Sequence, residues 1–212
     1  MTNTISPAIA DNAFLQAAAN RRSIYALDKH TAVSNEVIVA TIKKAVELAP
    51  SAFNSQSARA IVLFAAEHEK LWGEAGIAEK AIRAVLPAGQ SFEGTAQKLA
   101  SFNAAAGTVL FFEDTDIVTN LQKQFPLYAD NFPVWSEQSS GIAQYAVWTA
   151  LSEIGLGASL QHYNPLIDEG IQTAFALPAN WKLRAQMPFG NISAPAGEKE
   201  VQPIDERVRV FG

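Results

Sequence analysis

Three groups of side chains in this 212-residue chain have the types and spacing to do chemistry. Arg21-Arg22-Ser23 sets two permanent cations beside a hydroxyl, a donor set suited to a phosphate. Arginines at a helix end are also favoured by the helix dipole alone, so the triplet has a plain solvated reading too. Pro50-Ser51-Ala52-Phe53-Asn54-Ser55-Gln56 lies between a helical stretch and an apolar run. Asn and Gln each offer a donor and an acceptor, which the alternating edge of a heterocycle requires. An Asx-type turn would use the same residues merely to join two elements. Tyr128, Phe132 and Trp135, flanked by Pro126 and Pro133, form an aromatic segment suited to flat substrates or to a packed interface.

Several chemistries are excluded. The chain has no cysteine, so thiolate metal sites, iron–sulfur clusters, disulfides and a cysteine nucleophile are ruled out. His30, His68 and His162 are dispersed, and no acidic spacing suggests a metal site. There is no P-loop and no G-x-S-x-G elbow. Gly155-Leu156-Gly157-Ala158 follows a helical pattern and lacks the third glycine of a dinucleotide fingerprint. Sixteen Lys and Arg against 21 Asp and Glu give a net charge of −5 without a basic stripe, which argues against nucleic acid. No apolar run is long enough to span a membrane. Met1 to Leu15 carries Asp11 and no basic residue, unlike a secretory signal, so a soluble cytoplasmic protein is expected.

The elements that must position these groups follow from periodicity. Ala8 to Ala19 reads as a helix ending before the arginine pair. Ser34 caps a second, in which Ile38, Ile42, Ala45, Val46 and Ala49 share a face until Pro50 stops it. Ala60 to Ala65 and Thr108 to Phe112 read as strands buried on both faces. Helical stretches are expected over Glu67 to Val85, Phe92 to Ala105 and Thr115 to Gln124. Val134 to Ile154 contains Ser139, Ser140, Gly141, Ala143 and Ala146, small residues that let a central helix pack closely, and Gly155 ends it. Ala158 to Gln161 begins another short element, Trp181 to Phe189 reads as a strand, and Glu198 to Phe211 as a charged extended tail. One α+β domain over residues 1–212 is expected.

Taken together, Arg21-Arg22-Ser23, Ser51-x-x-Asn54-x-Gln56 and Gly155-Leu156-Gly157-Ala158 resemble, in order and separation, the FMN-dependent nitroreductase family. The strings Tyr128 to Glu137 and Leu156 to Pro165 are similar to a compact subgroup typified by a yeast fatty-acid-repression nitroreductase and its bacterial relatives. The resemblance spans nearly the whole chain. It implies a central, mostly antiparallel sheet surrounded by helices, in an intertwined homodimer with FMN at the subunit interface. It further implies an NADH- or NADPH-dependent enzyme that reduces nitroaromatic or quinone compounds by a ping-pong mechanism, with no catalytic side chain because the chemistry belongs to the flavin.

Carried over by position, Arg21 and Ser23 match residues that reach the FMN phosphate, ribityl chain or pyrimidine edge, with Arg22 and Tyr25 beside them. Ser51, Asn54 and Gln56 match the loop that approaches the flavin from the partner chain, and Leu160, Gln161 and His162 the stretch passing its ring. Tyr128 and Phe132 are the candidate substrate contacts. Two departures stand out. Gln56 is followed by Ser57-Ala58-Arg59 where the family continues Pro-Trp, and the closing Lys-x-Arg is missing, leaving Lys199, Arg207 or Arg209 to complete the phosphate site. The alternative within the same fold is a specialised flavoprotein or a regulatory binding module in fatty-acid or stress signalling.

Overall fold

A computed structural model describes residues 11–212. The first helix among the described residues, α1 (Ala13–Asn20), is capped by Asn12, whose Oδ1 accepts the Leu15 N–H at 3.1 Å; the part expected over residues 8–10 lies outside the described residues. The second, α2 (Asn35–Leu48), starts at Ser34 and buries Ile38, Ile42 and Ala45, the face set by their spacing.

The sheet is antiparallel at every strand pair, in the order β1 (Leu27–Asp28), β5 (Trp181–Ile192), β3 (Gly107–Asp114), β2 (Ala58–Phe64), with β4 (Gly157–Ala158) also on β5. All of β3 is buried, and its alternation divides the core. Val109 and Phe111 pack with Ala185, Met187 and Phe189 against α2 and α7 (Phe132–Glu153). Leu110 and Phe112 pack with Leu183 on the other face, against α3 (Ala65–Trp72), α4 (Ile77–Val85), α5 (Glu93–Asn103) and α8 (Asp168–Ala174). The remaining helix, α6 (Thr115–Gln124), follows β3, and a 3-10 turn, Pro126–Asn131, leads from it into α7.

Sequence and structure differ in four places. The strand expected over Ala60 to Ala65 as buried on both faces is β2, at the end of the strand order, where Leu63 alone is fully buried and Ala65 already belongs to α3. The helix expected from Glu67 to Val85 is two, α3 and α4, because the chain turns at Gly73 and Gly76 with Ala75 left-handed (φ 53°). A Cβ at Gly73 would come within 2.6 Å of the Glu69 carbonyl oxygen. The strand expected to end at Phe189 runs on to Ile192, where β1 pairs with it. The tail contains a 3-10 turn, Ile204–Glu206. The central helix is as expected: Ser136, Ser139, Ser140, Ala143 and Val147 are buried along α7, and Gly155 (φ 82°) follows its end.

His68 is a core residue. Its ring lies between Thr108 Oγ1 (3.0 Å) and the Phe102 carbonyl (3.1 Å), while Trp72 Nε1 donates to the same Thr108 hydroxyl at 2.8 Å. Burial lowers its pKa and keeps the imidazole neutral. Glu113 is the other buried group of consequence. It extends the Val109–Phe111 face, is 1% exposed, and neither carboxylate oxygen has a hydrogen-bond partner among the described residues. Burial pushes its pKa up to about 7; the nearby Ser57 hydroxyl opposes this, Glu137 adds to it, and Arg184 and Arg59 oppose it. A β-bulge between Phe111 and Phe112 leaves Arg184 unpaired opposite β3, and its guanidinium joins Glu137 on α7.

With the folded pKa near 7 and the unfolded value near 4.5, the folded state holds a proton that the unfolded chain has lost between those limits. Stability therefore falls as pH rises from about 4.5 to about 7 and levels off above. In Glu113→Gln this decline is removed, so urea unfolding at pH 8 relative to pH 4.5 should favour the variant by up to roughly 3 kcal/mol. Equal pH dependence of the two proteins would refute the assignment.

Candidate functional site

At the end of α1 the Arg21 N–H donates to the Ala17 carbonyl at 3.0 Å and the chain leaves the helix. The Arg21 guanidinium lies 4.4 Å from the Trp148 ring centroid and 5.8 Å from that of Tyr145, both on α7. Such a contact holds a cation without neutralising it. Among the described residues Arg21 has no carboxylate partner, and its buried Nε is unpaired. Arg22 turns toward the C-terminal segment and donates to the Gly197 carbonyl at 2.7 Å. That bond brings Lys199 alongside. Arg21, Arg22, Ser23, Tyr25, Trp148 and Lys199 line an open groove of about 800 Å³, with Glu198 and Glu200 also on its wall. Arg207 lies beyond the Ile204–Glu206 turn, exposed and outside this groove.

Gly157 is what lets the triplet lie here. Ser23 bridges Ala158 in parallel fashion, and the Ile24 N–H donates to the Ala158 carbonyl at 2.9 Å. A Cβ on Gly157 would stand 2.9 Å from the Cβ and Cγ2 of Ile24 and from Ile192 Cγ1, tighter than side chains tolerate. Beyond β4, Leu160 packs against the core. Gln161 is buried; its backbone exchanges hydrogen bonds of 2.7 and 2.9 Å with Gln186, and its Nε2 donates to Ser159 Oγ. His162 is exposed.

The second group forms a tight loop between α2 and β2. Ser51 Oγ accepts the Gln56 N–H at 2.9 Å, and Ser139 Oγ of α7 accepts the Ala52 N–H at 3.3 Å. Phe53, Asn54 and Gln56 have φ of 56°, 49° and 48°, left-handed conformations that cost a non-glycine residue about 1–2 kcal/mol each. Asn54 and Gln56 are exposed. Ser51 and Gln56 line a cavity of about 220 Å³ with Pro50, Arg59 and Ser139. Between this cavity and the cationic groove lies an apolar one of about 470 Å³, lined by Phe14, Leu48, Ile142 and Tyr145 among others. It shares Ala49 and Pro50 with the loop cavity and Tyr145 with the cationic groove, so the three form one continuous face.

Phe53 also joins the loop to the aromatic segment. Its ring stacks on Trp135 at 5.8 Å and 18°, and approaches Phe125 at 5.0 Å, Phe132 at 5.2 Å and Tyr128 at 6.1 Å. Tyr128 keeps an exposed face. Phe132 does not: at 3% exposure it is enclosed by its neighbours, which corrects the expectation that it touches substrate. The structure thus assembles Arg21, Arg22, Ser23, Tyr25 and Lys199 in one groove, and Ser51, Asn54 and Gln56 in one loop. Two participants were missed in the sequence. For Trp148 the signal was its helical spacing from Tyr145; for Phe53 it was an aromatic residue inside a polar loop.

The family model described as Nitroreductase family matches residues 18–191. Two proteins of Saccharomyces cerevisiae match most of the chain: HBN1 is 37% identical over 202 residues, 93% of this chain and 96% of its own, and the nitroreductase FRM2 is 31% identical over 188 residues, 88% of this chain and 91% of its own. The nitroreductase CinD from Lactococcus lactis, solved with chloramphenicol, 4-nitrophenol or nicotinic acid, is 50% identical; the match covers 94% of this chain and all of CinD, with TM-scores of 0.85, 0.85 and 0.84. A Desulfovibrio desulfuricans protein solved with FMN shares the fold at 23% identity and a TM-score of 0.67, over 95% of this chain and 98% of that one. The chain belongs to the nitroreductase family and is an oxidoreductase of that type.

Gly157→Ala should force Ile24 away from β4 and lower stability by about 1–3 kcal/mol in urea unfolding. Gly94→Ala, in α5 with no heavy atom within 4 Å of the added Cβ, is the control and should be neutral or stabilising by up to about 1 kcal/mol.

Proposed function

We propose that this protein is a homodimeric, NADH- or NADPH-dependent FMN enzyme that reduces nitroaromatic and quinone compounds by a ping-pong mechanism. The observation that carries this reading is Arg21, a guanidinium held on Trp148 that has, among the described residues, no carboxylate partner and no acceptor for its buried Nε. An anion with several acceptor oxygens fits that donor set, and the phosphate of FMN is such an anion. The fold shared with an FMN-bound protein supports the cofactor, and 4-nitrophenol bound to CinD supports the substrate class.

Arg21, Arg22 and Lys199 would hold the phosphate, with Ser23 and Tyr25 beside them along the groove. Leu160, Gln161 and His162 would border the flavin ring. When bound, FMN supplies the electron relay between the nicotinamide donor and the oxidant, one leaving before the other enters. The chain's part is binding and electrostatics. Arg22, fixed to the Gly197 carbonyl, keeps a positive charge in the groove and favours the form of any occupant with added negative charge. Tyr128 would offer its exposed ring to a flat oxidant.

The continuous face supports a dimer. Phe14 and Leu48 are 65% and 68% exposed around the apolar cavity, and Val210 and Phe211 are 91% and 90% exposed in the tail. A second copy covering this surface would bury it and bring the Ser51–Gln56 loop of one protomer to the flavin held by the other. A cytoplasmic location, where NADH and NADPH are supplied, accords with this reading.

Arg21→Ala should weaken FMN binding about 10- to 100-fold, measured by flavin fluorescence, whereas Arg207→Ala should bind as the wild type does. Undiminished binding by Arg21→Ala would sink the phosphate assignment. Tyr128→Ala should raise KM for nitroaromatic and quinone oxidants with FMN still bound. Anaerobic bleaching of the flavin absorption by NADH or NADPH tests the reductive half-reaction itself.

A further inference from the structure

We propose that Phe53 is the positioning residue of the Ser51–Gln56 loop, its ring seated against Trp135, Phe132, Phe125 and Tyr128 so as to hold the left-handed backbone that presents Asn54 and Gln56. The inference deepens the flavin reading of this loop and rests on it for the ligand, though not for the anchoring.

The loop is an improbable shape for its sequence. Phe53, Asn54 and Gln56 are all left-handed, and none is glycine. A bulky aromatic residue is the least suited of the three to such a backbone, so something outside the loop must hold it there. The local hydrogen bonds do not suffice, because the Asn54 and Ser55 N–H groups donate to Ser51 and Ala52 at 3.0 and 3.1 Å, and the Gln56 N–H donates to Ser51 Oγ. These bonds tie the loop to itself. Arg59 fixes its far end by donating to the Gln56 carbonyl at 2.7 Å.

The tie to the rest of the fold is made near the middle, by the Ala52 N–H on Ser139 Oγ and by the Phe53 ring. That ring meets α7 through Trp135 in a stacked pair and through Phe132 in an edge contact. It meets the segment before α7 through Phe125 and Tyr128. Phe53 is nevertheless half exposed, so simple burial does not account for its place. The geometry of the ring contacts does, because offset and edge arrangements fix the direction of a ring as well as its depth. A fixed ring at residue 53 fixes the peptide planes on either side, and the side chains of Asn54 and Gln56 emerge from that backbone.

The test compares Phe53→Ala, Phe53→Gly and Phe53→Tyr in the full-length protein. Glycine allows the left-handed backbone but supplies no ring, whereas tyrosine restores the ring. In flavin-free protein, amide hydrogen exchange at Ala52, Asn54, Ser55 and Gln56 should accelerate at least about tenfold in the Ala and Gly variants, with β2 and β3 amides unchanged. The Tyr variant should match the wild type. In the reconstituted protein FMN affinity should fall by about tenfold or more in the Ala and Gly variants and recover in Tyr. Unchanged loop exchange, or Phe53→Gly behaving as wild type, would overturn the anchoring role. Faster exchange with unaltered FMN affinity would overturn the link to the flavin. A wild type that binds no FMN would instead refute the flavin reading, while the exchange result would still decide the anchoring.

Discussion

Strand β5 is hydrogen-bonded along both edges, to β3 on one side and to β1, β4 and the backbone of Gln161 on the other. Much of the cationic groove hangs from that second edge. The Arg21–Ser23 segment lies on β4, β4 lies on β5, and the segment that carries Lys199 leaves from the end of β5 itself. Backbone pairing leaves little slack, because each ladder bond fixes both its donor and its acceptor. Side chains far apart in sequence, such as Arg22 and Lys199, therefore share one groove through the strand register, with the Arg22 bond to the Gly197 carbonyl closing it.

Helix α7 is the second fixed body and serves three parts of the surface at once. Its Trp148 and Tyr145 support Arg21, its Ser139 receives the loop at Ala52, and its Trp135 receives Phe53. Its buried residues divide between two tasks: Val147 and Leu151 pack into the core on the sheet, while Ser136, Ser139, Ser140 and Ala143 are small enough to let neighbouring elements come close. The arginine groove and the polar loop are thus mounted on one rigid rod, and the relation between them is set by the helix.

Much of this was legible in the sequence where a local pattern is long enough to read. The apolar runs of β2 and β3, the serine- and alanine-rich helix and the stop at Pro50 each carry their signal in consecutive residues. Strands β1 and β4 have two residues apiece, too short for any period, and exist because β5 offers them an edge. The break between α3 and α4 was signalled by Gly73 and Gly76 but outweighed by helix-forming neighbours. Among the candidate site residues, the Arg21–Ser23 triplet and the Ser51–Gln56 loop were legible as groups because each is consecutive or nearly so in the chain. Lys199 and Arg207 could not be separated, since what distinguishes them is a hydrogen bond from Arg22 to the carbonyl of Gly197, 175 positions away. Trp148 and Phe53 read as ordinary hydrophobic residues until their partners are placed.

The alternation along β3 has a consequence for how this protein can change over generations. Val109 and Phe111 face the half of the core that carries α7, while Leu110 and Phe112 face α3, α4, α5 and α8. The two halves meet across one layer of backbone, and substitutions on opposite sides have few shared neighbours through which to interact. Repacking of the far half should therefore leave the dimensions of the arginine groove unchanged. The pleat of a single strand thus insulates the groove from whatever is repacked behind the sheet.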